Sequence, residues 1–159
     1  MSNRQAFLDM IAWSEIGPKL LAIPETDNGY KVIVGSTPAR PILFDDYSDH
    51  PRRLIEVNFG GKVIPSTAAG RYQLLGRYFD FYKKRLGLFD FSPRSQDAIA
   101  IQQIKERRAL DDIDAGRITT AIAKVSNIWA SLPGNTYGQP TQKLAYLTNA
   151  YQKAGGTLV

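Results

Sequence analysis

The spacing of apolar residues changes along this chain, and that change limits the folds open to it more than any other feature. Near the N-terminus apolar residues recur at intervals of three and four, which predicts a helix over residues 2–15 that stops at Gly17-Pro18. Helical spacing returns after Thr67 and continues, in several segments, towards the C-terminus. The stretch between these helical regions must therefore form something else.

Residues 20–65 carry the signals of extended chain instead. β-Branched and aromatic residues cluster at 30–34 and 41–44, and turn-forming residues separate the two clusters. This pattern predicts a small antiparallel β lobe of two or three strands. With helices before and after it, the fold class is α+β, and a length of 159 residues favours one domain covering residues 1–159.

Four further helices and one short turn are predicted after the β lobe. Ser92-Pro93 is a typical helix start, because serine caps free backbone N–H groups and proline suits the first helical position. Gly87 is a typical helix end. Three of the predicted helices cover residues 72–86, 118–129 and 141–154, one starts at Ser92-Pro93, and the short turn covers residues 110–115.

The charge and the lack of cysteine narrow the classes of protein to consider. The net charge of +5 favours anionic partners such as nucleic acid, a membrane surface or the cell wall. With no cysteine there is neither a disulfide nor a thiolate nucleophile. No stretch reaches the roughly 18 apolar residues of a membrane helix, and the charged N-terminal segment does not resemble a signal peptide. We therefore expect synthesis in the cytoplasm and no stable membrane insertion.

Glu15 is the candidate acid for chemistry. It ends the first predicted helix, where unpaired carbonyl groups disfavour a nearby negative charge, and Trp13 and Ile16 can exclude water from it. Both effects raise the pKa of a carboxyl group. A carboxyl group that keeps its proton near neutral pH can donate that proton to a glycosidic oxygen.

Seven segments spread along nearly the whole chain carry a resemblance to a known family. They are Ala6-Phe-Leu-Asp-Met-Ile-Ala-Trp-Ser-Glu15, Asp46-Tyr-Ser-Asp-His-Pro51, Gly70-Arg-Tyr-Gln-Leu-Leu75, Asp90-Phe-Ser-Pro-Arg-Ser-Gln-Asp97, Gln102-Gln-Ile-Lys-Glu-Arg107, Asn127-Ile-Trp-Ala-Ser-Leu-Pro-Gly134 and Ala154-Gly-Gly-Thr157. In this order they resemble the lambda-type phage endolysins, which are lytic transglycosylases of lysozyme-like fold. One departure is Ile16, where the family has glycine after the glutamate.

This resemblance implies specific roles for individual residues. Glu15 matches the family's catalytic glutamate, Gln73 a substrate-contacting glutamine and Tyr137 an active-site tyrosine, while Tyr72 is a further candidate for substrate binding. The implied reaction cleaves the bond between N-acetylmuramic acid and N-acetylglucosamine in peptidoglycan and leaves 1,6-anhydromuramic acid ends. The site is expected in a cleft between the β lobe and the helical part.

The resemblance also implies how the protein is used. We expect a monomer that needs no cofactor and no metal, and that binds peptidoglycan glycan strands rather than nucleic acid. It would collect in the host cytoplasm and reach the periplasmic peptidoglycan after a holin-type pore opened.

Two alternatives stay open. A hydrolysing muramidase needs a second carboxylate, which Asp45, Asp46 or Asp49 could supply, although aspartates in such segments usually cap turns. A basic nucleic-acid-binding module would explain the run Lys83-Lys84-Arg85, but no recognised binding motif accompanies it.

Other polar residues are interpreted as structural. His50 is the only histidine and has no cysteine to complete a zinc site, so packing or hydrogen bonding is its expected role. Ser14, Ser48 and Ser131 lack the surroundings of a serine nucleophile.

Overall fold

Helices dominate the structure, with one small sheet among them. The computed structural model describes residues 2–134 and 141–159. No helix in these residues is long and apolar enough to cross a membrane. In chain order the elements are α1 (Asn3–Glu15), α2 (Pro18–Leu21), a 3-10 turn (Pro24–Thr26), β1 (Ile55–Phe59), β2 (Lys62–Ser66), α3 (Gly76–Leu86), α4 (Pro93–Glu106), α5 (Leu110–Asp114), α6 (Ile118–Val125) and α7 (Leu144–Lys153).

The described residues form two compact units. The first contains the N-terminal segment to Glu15 together with the chain from Ala100 onwards, and the second is Ile16–Ile99. In the first unit α1 packs against α7 and α5, and α5 packs against α6. Its core consists of fully buried apolar side chains, among them Phe7, Met10, Ile11, Ile113, Ile122 and Leu147. That one domain covers residues 1–159 stays a prediction.

Ser2 caps the start of α1. Its Oγ accepts a hydrogen bond from the backbone N–H of Gln5 at 3.1 Å. The Gln5 side chain turns away and donates to Asp9 at 3.0 Å, so the reciprocal bond of a capping box is replaced by one along the helix. At the other end α1 stops at Glu15, as predicted, and Gly17 follows with a left-handed φ of 89°.

The second unit is built around a cluster of aromatic and branched side chains. Loops before β1, between β2 and α3, and between α3 and α4 contribute five of its buried members, and helices α3 and α4 contribute three. The buried members are Ile33, Phe44, Ala69, Leu74, Phe79, Tyr82, Phe91 and Ile99.

The sheet lies later in the chain than predicted. Strands at 30–34 and 41–44 were expected, but these segments meet only at one bridge, Val32 with Leu43. The reason is that Ser36 interrupts the pairing. Ile33 donates to the carbonyl of Ile42, but the return bond is missing, because Ser36 Oγ accepts from the N–H of Ile42 at 2.9 Å and donates to the carbonyl of Ile33 at 2.7 Å.

The β1–β2 hairpin is the two-stranded sheet of the described residues. Phe59 pairs with Lys62, so only Gly60 and Gly61 form the loop. Both glycines have positive φ, 59° and 86°, which a two-residue hairpin turn requires and which suits glycine best. A small antiparallel sheet is therefore confirmed, but its predicted strand positions were wrong.

The helix predicted over residues 72–86 begins at Gly76 instead. Gly70 and Gln73 both adopt left-handed φ, 84° and 51°, so the chain makes a tight turn that cannot continue a right-handed helix. The predicted end is confirmed, because Gly87 is left-handed and its N–H bonds to the carbonyl of Lys83.

The later helices start or end close to their predicted limits. Ser92 Oγ accepts from the N–H of Ser95 at 3.3 Å and so caps α4, as expected. The predictions for 118–129 and 141–154 were too long, since α6 ends at Val125 and α7 begins at Leu144. After Val125 the backbone forms separate four-residue turns, such as the one closed by the bond from Leu132 N–H to the carbonyl of Trp129.

Candidate active site

Glu15 is placed by the buried side of α1. Phe7, Met10 and Ile11 are completely buried and fix the helix in the first unit, so its last residue has a defined position. Gly17 then ends the helix, and Ile16 packs against Leu20 and Val32 in the second unit. Ile16 thus has a packing role of its own at the position where the resembling family has glycine.

The Glu15 carboxyl group is suited to hold a proton near neutral pH. Loss of solvent on burial raises its pKa from 4.5 to about 7, and a side-chain hydrogen bond with Ser131 acts against that rise. The predicted direction of the shift is confirmed, and burial is its main cause. With a pKa of about 7, both the protonated and the ionised form are populated under physiological conditions.

Gln73 lies in the tight turn that precedes α3. Ala69 and Leu74 form an isolated bridge across this turn, and each donates its N–H to the other's carbonyl. The buried side chain of Gln96 supports the turn, since its Oε1 accepts from the N–H of Arg71 at 2.9 Å. Gly70 leaves room for that contact, because a Cβ there would lie 2.4 Å from Gln96 Oε1.

The side chain of Gln73 is partly used by the protein itself. Its Nε2 donates to the backbone carbonyls of Gly70 at 2.9 Å and Val32 at 3.2 Å. These bonds fix the orientation of the amide, so a ligand would meet mainly its carbonyl oxygen. The left-handed backbone of Gln73 costs energy for a non-glycine residue, and such strain is often found at functional positions.

Tyr72 is buried, with 4% of its surface exposed. Its hydroxyl donates to Asp97 at 2.6 Å and accepts from Arg71 at 3.1 Å. Tyr30 donates to the same carboxylate at 2.9 Å. These contacts give Tyr72 a structural role in the second unit, and a role in substrate binding stays a prediction.

The predicted site residues are distributed over both units. Gln73 and Tyr72 are neighbours on one turn of the second unit, whereas Glu15 belongs to the first. Tyr137 lies outside the described residues. No three histidine, aspartate or glutamate side chains within residues 2–134 and 141–159 come together as a potential metal site.

Two of the three aspartates that could supply a second carboxylate form hydrogen bonds within their own loop. Asp46 accepts from the N–H of Ser48 at 2.8 Å, and this bond lowers its pKa. Asp49 accepts from the guanidinium of Arg52 at 3.1 Å and from the N–H of His50, which keep its pKa low as well. Both are thus ionised turn residues. Asp45 is exposed.

His50 is a packing residue, as predicted. It is 2% exposed and lies against Phe79 and Phe91, with ring centroids 5.8 and 4.9 Å away. Its Nδ1 accepts from the N–H of Arg52 at 2.9 Å, so Nε2 carries the proton and donates to the carbonyl of Leu74 at 2.8 Å. Burial lowers the pKa of this imidazole.

Sequence reasoning missed three polar residues that hold the candidate site residues. Ser131 contacts Glu15, while Gln96 and Asp97 support the turn of Gln73 and Tyr72. Gln96 and Asp97 do lie in a segment that matches the family, but its sequence carries no sign of what the side chains bind. Ser131 is separated from Glu15 by most of the chain, which hides the contact from any local pattern.

Comparison with known proteins agrees with the resemblance seen in the sequence. A family model described as Endolysin matches residues 5–158. The chain is 54% identical to the endolysin of Escherichia phage lambda over 157 residues, which is 99% of this chain and 94% of that protein. It is 51% identical to the endolysin of Escherichia phage P2 over 158 residues, 97% and 93% of the two chains.

Solved structures extend this similarity to the fold. Bacteriophage lambda lysozyme in complex with a chitohexasaccharide matches with a TM-score of 0.86 and 52% identity, over 99% of this chain and 96% of that one. A second structure of lysozyme from bacteriophage lambda gives a TM-score of 0.82 over the same shares. The predicted lysozyme-like α+β fold is confirmed. Identity above half along almost the entire length shows that this chain belongs to the endolysin family.

Proposed function

We propose that this endolysin is a lytic transglycosylase that cuts peptidoglycan between N-acetylmuramic acid and N-acetylglucosamine, with Glu15 as its acid and base. The observation that carries the proposal is the pKa of Glu15, about 7. A single group that must first give and then take a proton works best when its pKa lies near the working pH.

The proposed reaction needs one protein carboxyl group. Protonated Glu15 donates its proton to the glycosidic oxygen while the bond from that oxygen to C1 of muramic acid breaks. The resulting carboxylate then takes the proton of the C6 hydroxyl, and the C6 oxygen bonds to C1. Glu15 ends in its starting state, no water is consumed, and the product carries a 1,6-anhydro ring.

The surroundings of the aspartates support one carboxylate over two. A hydrolysing glycosidase uses a second carboxylate as base or nucleophile. Asp46 and Asp49 are committed to hydrogen bonds within their own loop. Of the three aspartates considered, the exposed Asp45 is the remaining candidate for the second carboxylate of a muramidase.

Gln73 is proposed as a substrate contact through its carbonyl oxygen. Since its amide group donates to Gly70 and Val32, the free partner for a sugar is an acceptor. The N-acetyl group of both peptidoglycan sugars offers a matching N–H donor. The chitohexasaccharide held by the lambda lysozyme structure supports a glycan strand as the ligand of this chain also. Tyr137 is proposed as a further contact on the family resemblance alone.

Family membership also supports the proposed biological use. We propose that the protein acts as a monomer without cofactor, collects in the host cytoplasm and reaches the periplasmic peptidoglycan through a holin-type pore. Expression in a host with and without a holin gene tests this route, since only the strain with the holin should lyse promptly.

The mass of the products tests the reaction. Purified peptidoglycan is digested and the released muropeptides are weighed. Transglycosylation gives ends that are lighter by one water than the reducing ends of hydrolysis. A digest that contains reducing ends alone would reject the proposal and favour a muramidase.

A Glu15→Gln variant tests the residue. The amide keeps the shape of the side chain but has no acidic proton, so we expect activity to fall by a factor of about 10³ or more. A Glu25→Gln variant, which makes the same change at an exposed carboxylate, should keep full activity. Substantial turnover by Glu15→Gln would refute the assignment.

The basic run Lys83-Lys84-Arg85 motivates a separate control. All three residues lie in the last turn of α3, where cations are favoured by the helix dipole, so the helix itself accounts for them. Filter binding with duplex DNA should show only weak affinity that disappears as salt is added. Tight DNA binding without any effect on peptidoglycan would favour the nucleic-acid-binding alternative.

A further inference from the structure

The hydroxyl groups of Ser14 and Ser131 form a chain of contacts that leads to Glu15, and neither takes part in the proposed reaction. Ser14 Oγ and Ser131 Oγ are 2.7 Å apart, although 117 positions separate them in the sequence. Ser14 precedes Glu15 in the last turn of α1 and is 7% exposed. Ser131 in turn forms a side-chain hydrogen bond with Glu15.

The backbone around Ser131 is fixed on both sides. Its carbonyl accepts from the N–H of Gln142 at 2.7 Å, and the next residue, Leu132, donates to Trp129 at 3.1 Å. Leu132 and Trp129 are 0% and 2% exposed. An anchored backbone limits the positions that a short serine side chain can reach.

We propose that Ser131, supported by Ser14, is a positioning residue that holds one oxygen of the Glu15 carboxyl group and leaves the other oxygen for the proton. The inference rests on the proposed role of Glu15 as acid and base. It gives a function to Ser131, which does not have the surroundings of a nucleophile.

The chemistry of a hydroxyl group fits this role in both states of Glu15. Ser131 can donate to the carbonyl oxygen of the neutral carboxyl group and to the same oxygen of the carboxylate. At the same time the hydroxyl group of Ser14 can donate to the oxygen of Ser131, so that the Ser14 proton also has a hydrogen-bond acceptor. A bond to the ionised form is the stronger of the two, so it also limits how far burial raises the pKa of Glu15.

The charged groups on the elements packed against α1, including Asp111 of α5, do not act on the carboxyl group of Glu15. In α5, Asp112 pairs with Arg117 and Lys124, and Asp114 pairs with Arg4 at the start of α1. α7 carries Lys153 in its last turn. None of these groups contributes to the pKa shift of Glu15. Ser131 is therefore the polar partner whose removal should be felt by Glu15.

A Ser131→Ala variant provides the test. We expect the pKa of Glu15, followed by NMR of the carboxyl carbon without substrate, to rise by about one unit. In the plot of activity against pH, the alkaline limb should move to higher pH by the same amount. Because the carboxyl group also loses its fixed orientation, kcat should fall about tenfold while KM changes little.

Three matched variants accompany the test. Ser131→Thr keeps a hydroxyl group, so both the pKa of Glu15 and the pH dependence of activity should stay as in the native protein. Ser14→Ala should give a smaller shift in the same direction. Ser126→Ala removes another buried hydroxyl of the same unit, which donates to Ala123, and should leave the profile of Glu15 unchanged. Melting temperatures show whether each variant is folded.

The outcomes separate this inference from the proposed function. If Ser131→Ala leaves the pKa of Glu15 and the alkaline limb in place, the positioning role is wrong, even if total activity falls. If the pKa shifts while Glu15→Gln stays active, the hydrogen bond stands and the catalytic role of Glu15 fails.

Discussion

At the scale of single residues, burial and hydrogen bonding set how each polar group behaves. Loss of solvent raises the pKa of Glu15 to about 7. Hydrogen-bond donors beside Asp46 and Asp49 lower the pKa values of these two carboxyl groups and keep them ionised. These three carboxyl groups have the same chemistry in water. Their different surroundings give each a different use, which composition does not reveal.

The raised pKa of Glu15 should cost the protein stability at high pH. Its pKa is about 7 in the folded state and ordinarily 4.5, so the unfolded chain ionises more easily. Stability from this group is complete below pH 4.5 and is lost as pH rises to about 7. Above that pH Glu15→Gln should be more stable than the native protein, by at most about 3 kcal/mol.

Urea unfolding of both proteins measures this difference. It should be clear at about pH 8 and close to zero at about pH 4. A difference that is the same at both values would show that ionisation of Glu15 does not oppose folding.

His50 should titrate below its ordinary pKa of 6.5, because burial disfavours its charged form. The unfolded chain then takes up a proton first, so this residue reduces stability as pH falls below 6.5 towards the folded-state pKa. NMR of the imidazole gives the folded value directly. A midpoint at or above 6.5 would contradict the buried neutral tautomer.

At the scale of elements, turns decide where the helices and strands begin. The Gly60-Gly61 pair makes the hairpin, and the left-handed pair Gly70 and Gln73 delays the start of α3. The sequence patterns predicted most helix ends because glycine, proline and serine mark them locally. The strands were misplaced because Ser36 takes over backbone bonds that residues 30–34 would otherwise form with residues 41–44, and a β-branched pattern does not reveal this.

Gly70→Ala should damage the turn that carries Gln73. The new Cβ would lie 2.4 Å from Gln96 Oε1 and would sit at a φ of 84°. We expect a loss of about 3 kcal/mol in the free energy of unfolding.

Gly60→Ala is the matched control for that variant. It also places alanine at positive φ, 59°, but meets nothing within 4 Å. Its cost should be about 1 kcal/mol, from backbone strain alone. Equal losses in chemical denaturation would mean that the contact with Gln96 does not matter.

At the scale of the whole molecule, residues far apart in sequence determine the first unit. Asn3 donates to the carbonyl of Ile113 at 3.1 Å and accepts from the N–H of Thr157 at 3.1 Å. Contacts of this range, like that of Ser131 with Glu15, are invisible to periodicity. The raised pKa of Glu15 was predictable because its causes are local, whereas its contact with Ser131 was not.

Asn3→Ala should therefore destabilise the protein by about 1–2 kcal/mol, since it removes these long-range bonds. Gln102→Ala is a suitable control, because Gln102 donates to Glu106 within its own helix. The control should cost less than about 0.5 kcal/mol in the same unfolding experiment. Similar losses in the free energy of unfolding for both variants would show that the long-range bonds of Asn3 add no more stability than a bond within one helix.

The first unit is assembled from two separate stretches of sequence, so it cannot fold on the ribosome until both have been made. The segment Ile16–Ile99 is continuous and can fold while later residues are still being added. The helix that ends in Glu15 must instead wait for α7, its main packing partner, which is translated after that segment. A nascent chain that has not reached α7 thus presents Glu15 on an unsupported helix, and a product truncated before α7 would lack the framework of the first unit.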